Sequence, residues 1–501
     1  MADYILSIDQ GTTGSTVILF DRQGQVAGKG YREITQHYPK PGWVEHDAEE
    51  IWAKTLEALG DCMNAAQVDA SAIAGIGITN QRETVVLWDK ATGKPVCKAI
   101  VWQCRRTADY CQELVNSGKA AKFETRTGLV MDAYFSGTKI RWCLQEHPEV
   151  AERAQKGEIA FGTIDSWLLW NLTGGKVHAT DVSNAGRTLI FDIRKLAWDP
   201  ELMAELGIPE AMAPEAKPCG HVFGTTAAVG PLPAGLPIAA MAGDQHAALF
   251  GQACFRPGQA KNTYGTGCFM LMNTGEMPVP STNRLLTTLA WQLDGQPPLY
   301  ALEGSVFIAG AAIQWLRDGL GILQHASESE GLARSVDDNG GVYLVPAFVG
   351  LGAPYWDGFA RGAMFGLTRG ATKAHIARAA LEAIAYQTKD ILDAMGKDSG
   401  IDLRELKVDG GATGNDFLMQ FQADVLNVAV ARQNNVEATA WGAAAMAGLT
   451  VGVWKDQAEL SSLQGGDKRF EPAMKEADRT KLYAGWRKAV ERSREWAEAD
   501  S

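Results

Sequence analysis

Apolar and polar positions alternate from the start of the chain in a pattern that predicts strands. Tyr4 to Ile8 is the first, Val17 to Phe20 follows a Gly/Thr turn, and a third begins after the polar stretch "DRQGQ". Val, Ile and Phe dominate these runs, as buried strands require. Around residue 48 the period lengthens. Trp52, Leu56, Leu59 and Met63 recur at helical spacing behind Asp47, which is placed to cap the helix with Glu50 three residues on. "IAGIGIT", residues 73–79, is strand again. Strands alternating with helices predict an α/β fold. The closing "YAGWRKAVERSREWAEAD" predicts a charged surface helix with Trp486 and Val490 on one face.

A second polar turn, Thr263-Tyr264-Gly265-Thr266-Gly267, leads into an apolar run within "GQAKNTYGTGCFMLMNT", residues 258–274. Beside "DQGTTGSTVILFD" of residues 9–21 it reads as one hairpin used twice, about half a chain length apart. Such a duplication predicts two halves that meet where Pro and Gly punctuate "GQACFRPGQ", residues 251–259, giving domains 1–252 and 253–501.

Composition narrows the function classes. A chain of 501 residues is long enough for two domains with a sizeable core. Its formal charge of −12 argues against nucleic acid and anionic membranes as partners, while leaving small anionic ligands open. No apolar run approaches the roughly 18 residues of a membrane helix, and "MADYILSIDQ" enters a strand at once without a signal-peptide pattern. Eight scattered cysteines form no C-x-x-C pair and eight histidines show no metal-ligand spacing, so reduced thiols in a cytoplasmic protein are expected.

The first hairpin carries the earliest candidate chemistry. Successive free N–H groups in such a turn can wrap phosphate oxygens, and Thr12 and Thr13 add hydroxyl donors. Asp9 cannot face phosphate directly, because like charges repel; a bridging Mg²⁺ would make its position favourable. The plain alternative is a β-turn with no ligand. No G-x-x-x-x-G-K-[ST] occurs, which excludes a Walker-type ATPase. In "VDGGATGNDF", residues 408–417, glycines follow a strand where backbone could pass close to a nucleotide. Arg82–Glu83 and Asp244–Gln245 each follow an apolar strand, at the lip where α/β proteins bind ligands. Singly they could be a surface ion pair and a helix cap. Together they supply donors and acceptors for a neutral polyhydroxy compound, whose carbons Trp102 and Phe269 could cover unless those rings are core packing.

The motifs "DQGTT", "YPKPGWVEHD", "GITNQRET", "AIVWQCRRT", "YFSGTKIRW", "AGDQ", "KNTYGTGCFMLMNTG", "FGLTRG" and "DGGA" stand in order along the chain. As a set it resembles, end to end, the FGGY carbohydrate kinases of the actin/hexokinase/Hsp70 ATPase superfamily, and among them the members acting on glycerol. The resemblance implies two duplicated actin-like (ribonuclease H-like) ATPase domains with a cleft between them. It implies ATP-dependent phosphorylation of glycerol to sn-glycerol 3-phosphate, in glycerol uptake and catabolism, with ATP as co-substrate, Mg²⁺ as cofactor and a homo-oligomer, dimer or tetramer. It further implies that Arg82, Glu83, Trp102, Tyr134, Asp244, Gln245 and Phe269 bind glycerol, with Asp244 as general base. Thr12, Thr13, Gly14, Thr266, Gly310, Gln314, Gly411 and Asn415 would surround ATP, and Asp9 would lie near Mg²⁺. One departure stands out. Many bacterial members read D-Q-G-T-T-S-S-R, whereas Gly14-Ser15-Thr16 follows here, so the arginine charge is missing. The competing readings are a kinase for a pentulose or tetritol, an actin- or Hsp70-like ATPase, and a non-catalytic sugar sensor.

Overall fold

Backbone pairing extends the first hairpin through its polar residues in the computed structural model, which describes residues 3–433, 437–463, 465 and 467–497. Strands β1 (Tyr4–Gln10) and β2 (Gly14–Phe20) are each longer than the apolar pattern predicts, with Asp9 opposite Thr16 and Gln10 opposite Ser15. The extension is stable because the buried polar side chains satisfy one another, Ser15 donating to Gln10 Oε1 at 2.5 Å. The turn is thereby reduced to residues 11–13.

β3 (Val26–Glu33), β4 (Ile73–Asn80), β5 (Gly224–Thr225) and β6 (Pro237–Gly243) complete a six-stranded sheet in the order β5-β6-β4-β1-β2-β3. The second half repeats it. β7 (Gln259–Tyr264), β8 (Cys268–Gly275), β9 (Leu286–Trp291), β10 (Leu299–Val306), β11 (Glu405–Asp409), β12 (Val430–Arg432) and β13 (Lys468–Phe470) form the order β9-β10-β8-β7-β11-β12-β13. Strand directions match pair by pair. In both sheets the opening hairpin and its next strand are antiparallel, two strands then follow in parallel, and the edge beyond them reverses. Only β9 has no counterpart in the first sheet. The duplication read from two turns thus extends to whole sheets.

Helices cover these sheets. In α1 (Ala48–Ala66), Asp47 caps as expected, accepting from the amides of Glu49 and Glu50 at 2.9 and 3.2 Å. The Glu50 carboxylate does not close a capping box; it takes the Thr35 amide and hydroxyl instead. Leu59 and Met63 are buried, Trp52 and Leu56 half-buried. The other helices used below are α2 (Ser136–Glu146), α3 (Asp244–Gly251), α4 (Gly310–Asp318), α5 (Lys373–Ser399), α6 (Asp416–Leu426), α7 (Ala438–Thr450) and α8 (Glu476–Ser493). Trp486 on α8 is buried and donates to Asp390 Oδ2 on α5 at 2.8 Å, so the charged C-terminal helix seals the second core with one face. No helix among the described residues is long and apolar enough to cross a membrane.

The two halves share a core. α7 belongs to the second half by sequence, yet it packs on β1, β4, β6 and α3 of the first. Its sequence, "ATAWGAAAMAGLT", is small and buried nearly all round, which lets backbones approach closely. At Gly442 a Cβ would sit 1.8 Å from the Ala247 carbonyl oxygen of α3, and at Gly77 one would sit 2.2 Å from the Ala443 carbonyl oxygen. Gly442→Ala is therefore expected to destabilise the protein by about 3 kcal/mol, or to leave it insoluble, through overpacking against backbone. Gly60→Ala, in α1 with nothing within 4 Å of the added Cβ, is expected to stabilise by about 0.5–1 kcal/mol. Urea unfolding of the two variants checks both signs.

Candidate active site

Three adjacent parallel strands end together at one edge of the first sheet. Asp9 on β1 lies opposite Thr79 on β4, and Gly243 on β6 lies opposite Asn80 on β4. The residues that follow, Arg82–Glu83 after β4 and Asp244–Gln245 at the start of α3, emerge beside Asp9. Glu83 adopts φ +62°, a left-handed conformation uncommon for a residue with a side chain. Gly243 makes room for Arg82: a Cβ there would meet Arg82 Cγ at 2.6 Å.

A cavity of about 160 Å³ opens at this edge, lined by Thr12, Arg82, Glu83, Trp102, Tyr134, Asp244, Gln245 and Phe269. All seven residues expected to bind a polyol are brought together here, and Thr12 of the first hairpin joins them. Phe269 comes from β8 of the second half. The ring centroid of Trp102 lies 5.6 Å from that of Tyr134 and 6.5 Å from that of Phe269, both edge-on, so three rings form an apolar wall. The Trp102 indole N–H donates to Thr12 Oγ1 at 2.9 Å.

Behind the cavity lies a buried charge network. Arg82 donates from both terminal nitrogens to Glu303 at 2.7 and 2.9 Å, and its Nε lies 3.2 Å from Asp244 Oδ1. Arg187 donates to Glu83 Oε1 at 2.6 Å and to both oxygens of Glu303 at 3.1 and 3.2 Å. Arg82, Glu83, Arg187 and Glu303 are at most 3% exposed, so the surface-pair reading of Arg82–Glu83 does not apply. Burial opposes the charged form of Glu303, yet Arg187 and Arg82 hold its carboxyl well below the usual carboxylate range. Burial wins at Glu83, whose pKa is raised against the pull of Arg187 and Arg82. Lys139 on α2, also fully buried, donates to the carbonyls of Tyr134 at 2.6 Å and Glu83 at 3.4 Å. Burial pushes its pKa down to about 7.

Sequence reasoning missed Arg187, Glu303 and Lys139. The one local signal was at Glu303, a lone carboxylate inside the apolar run "PLYALEGSVFIAG", where a buried charge requires a partner. Nothing comparable marks "NAGRTLI" around Arg187.

Both hairpins have their carbonyls tied backwards. The Gly11 carbonyl accepts from Gln10 and Gln81, that of Thr12 from Gln36 at 2.8 Å, and that of Thr13 from the Ile34 amide at 3.0 Å. Gln36 is in turn held by His46 Nε2 at 2.8 Å, a ring kept neutral by burial, which lowers its pKa to about 4. In the second hairpin the Gly265 carbonyl accepts from the Gly310 amide, and the Thr266 carbonyl from the amides of Ala309 and Ala311. The closing bond is also repeated, Gly11 N to Gly14 O and Gly265 N to Gly267 O. The amides of Thr12, Thr13, Thr266 and Gly267 have no acceptor among the described residues. With every turn carbonyl withdrawn, what remains is donor-only, the condition for an anion nest.

Of the remaining residues expected around ATP, Gly310 and the Gly410–Gly411 turn lie against the second hairpin, with Gln314 on α4 and Asn415 at the start of α6. Gly310 starts α4 against the Gly265 carbonyl, and exposed Gln314 follows one turn later. Gly411 follows Gly410, which has φ +93° and packs on the Tyr264 backbone, where a Cβ would lie 2.4 Å from the carbonyl oxygen. Asn415 caps α6, accepting from the Leu418 amide at 2.9 Å. Gly14 lies in β2 beyond the turn, and a Cβ there would meet the Arg32 carbonyl at 2.6 Å, so the missing side chain serves packing on β3.

Asp9 has no hydrogen-bond donor among the described residues. Burial, reinforced by Asp244 and Glu437 and opposed by Lys29, raises its pKa to about 7. Thr16 stands directly across from it on β2. A carboxylate left unpartnered beside a second carboxylate and a phosphate nest fits a divalent cation, which would relieve the repulsion. No three-ligand His/Cys/Asp/Glu cage occurs among the described residues.

Comparison with known proteins accords with this geometry. The family model "FGGY family of carbohydrate kinases, N-terminal domain" matches residues 4–251, and the corresponding C-terminal domain model matches residues 260–451. Glycerol kinase of Symbiobacterium thermophilum is 60% identical over 496 residues, 99% of each chain. Glycerol kinase of Deinococcus radiodurans is 59% identical over 493 residues, 98% of each chain. Among solved structures, Plasmodium falciparum glycerol kinase with ADP superposes with a TM-score of 0.94 at 38% identity, over 98% of both chains. Ligand-bound xylulose kinase of Lactobacillus acidophilus, with a TM-score of 0.89 at 22% identity over 98% of both chains, shares the fold. The chain belongs to the FGGY family of carbohydrate kinases.

Proposed function

We propose that this protein is a glycerol kinase, transferring the γ-phosphoryl group of ATP to a terminal hydroxyl of glycerol to give sn-glycerol 3-phosphate. The cavity carries the reading. At about 160 Å³ it is roughly half the ~300 Å³ of the smallest drug-sized pockets, which suits a three-carbon polyol better than a pentulose. It joins an aromatic wall to unspent polar atoms. Arg82 and the Gln245 backbone N–H hold Asp244 Oδ1, leaving Oδ2 without a donor among the described residues. Glu83 gives Oε1 to Arg187 and keeps Oε2.

Phosphoryl transfer asks mainly for positioning and charge stabilisation. Asp244 Oδ2 takes the proton of the attacking hydroxyl as its oxygen bonds to the γ-phosphorus, and the bond to ADP breaks in line. Arg82, paired with Glu303, keeps Asp244 aimed. Glu83 accepts from the remaining hydroxyls. Thr12 receives the Trp102 N–H, so its own hydroxyl proton is free for phosphate, and the turn amides of both hairpins complete the cradle. Mg²⁺, when held by Asp9, supplies charge neutralisation on the phosphates. Closure of the two halves over the bound substrates would exclude water as a competing acceptor. A cytoplasmic role in glycerol uptake and catabolism follows from this activity. Self-association to a dimer or tetramer is part of the same reading, supported by Val349, Trp356 and Phe359, exposed close together in sequence.

ADP release measured with and without glycerol, then across a polyol and pentulose panel, tests the reading; turnover indifferent to glycerol would end it. Asp244→Asn is expected to keep glycerol binding and lower kcat by about 10²–10⁴-fold; near-normal kcat in the folded variant would remove Asp244 as the base. Asp9→Asn is expected to shift the Mg²⁺ titration of activity to higher concentration with glycerol KM unchanged, and an unshifted titration would make Asp9 structural. Glu303→Gln leaves two buried guanidiniums short of one counter-charge, so a stability loss of about 3–5 kcal/mol and a raised glycerol KM are expected, read by thermal unfolding and steady-state kinetics.

A further inference from the structure

Lys261 lies in the interior of β7, between β8 and β11, and is fully buried. It forms no ion pair among the described residues. The ammonium donates to Gln245 Oε1 and to Thr263 Oγ1, the latter at 3.0 Å, and both partners are neutral. Asp409 and Asp244 act on it only through longer-range attraction, and burial lowers its pKa. A buried cation with neutral partners is costly to keep, and the apolar Leu406 and Val408 of the neighbouring strand, opposite Ala260 and Asn262, pack on the other face of the sheet.

What Lys261 does is fix an amide. Lysine has donors only, so the Gln245 atom facing it must be the carbonyl oxygen. The amide NH₂ is then left without a protein acceptor among the described residues, on a side chain that lines the polyol cavity. Asp244 Oδ2 and Glu83 Oε2 present acceptors to the same space. We infer that Lys261 is a positioning residue for polyol recognition: by holding the Gln245 carbonyl it commits that side chain to donate into the cavity, and so sets the donor-to-acceptor balance the substrate meets. The contact also crosses from β7 in the second half to α3 in the first, tying Gln245 to the strand that ends in the second phosphate hairpin.

This inference rests on the glycerol kinase reading. The test is a double-mutant cycle on glycerol KM and ATP KM with Lys261→Met, Gln245→Ala and both together. Lys261→Met is expected to raise glycerol KM roughly 2- to 10-fold, the loss of one neutral hydrogen bond from the Gln245 NH₂ to the polyol, with ATP KM changed less than about twofold. The double variant should be no weaker than the worse single, because both remove the same donor. Lys261→Gln, which keeps a donor without the charge, should recover part of the loss, and it replaces Met in the cycle if Lys261→Met does not fold. Additive effects on glycerol KM, or an unchanged glycerol KM in both Lys261 variants, overturn the inference while wild-type activity stands. A wild-type protein without glycerol-dependent ADP release overturns it together with the kinase reading.

Discussion

The bidentate pairing of Arg82 with Glu303 joins the two halves where the substrate cavity forms. Arg82 follows the end of β4 in the first half, and Glu303 sits inside β10 in the second. Two guanidiniums and two carboxylates share this buried space, and removing any one leaves an uncompensated charge. Networks of this kind contribute less to net stability than to defining one arrangement. Here that arrangement points Arg82 Nε at Asp244 and Arg187 at Glu83. The strained backbone at Glu83 persists within the same frame, because Arg187 holds its carboxylate while Lys139 and Ser136 hold its carbonyl.

Duplication supplies the second organising constraint. A hairpin that starts a mixed sheet must place its turn at the sheet's edge, and repeating the sheet provides two such turns. Each turn leads into a strand, not into a helix. Each reaches the same donor-only state by withdrawing carbonyls, but with different means. Glutamine side chains and one backbone amide do so in the first hairpin, and the amides preceding and opening α4 in the second. Similar geometry from unlike partners indicates that the backbone arrangement, rather than any particular side chain, is what the turn conserves between the halves.

Much of this was legible in the chain. Both hairpins, the α/β class and the placement of Arg82–Glu83 and Asp244–Gln245 after apolar strands follow from local pattern, because period and turn chemistry are local properties. The residues implied by motif resemblance, Trp102, Tyr134 and Phe269, also meet in the cavity. Arg187, Glu303, Lys139 and Lys261 were not legible. Their roles depend on contacts spanning up to 221 residues, as between Arg82 and Glu303, and no window of sequence reports such a pairing. The reach of α7 into the first half was hidden for another reason. An Ala/Gly-rich helix has almost no amphipathic signal, since small residues bury on every side.

In the proposed mechanism, the coupling of polyol and phosphate sites would follow from where Thr12 stands. Its hydroxyl receives the Trp102 indole N–H, its carbonyl is held by Gln36, and its amide is free in the turn. One residue therefore lines the polyol cavity and the phosphate nest together. A polyol that seats against Trp102 bears on the same side chain that a phosphate oxygen would meet. Asp9 lies three residues earlier, on β1, with its pKa raised mainly by burial and in part by Asp244. In the proposed mechanism, a cation held by Asp9 would also lower the repulsion on Asp244, the carboxylate proposed to take the substrate proton. Binding at either side thus changes the electrostatic and steric terms at the other, without any element between them needing to move.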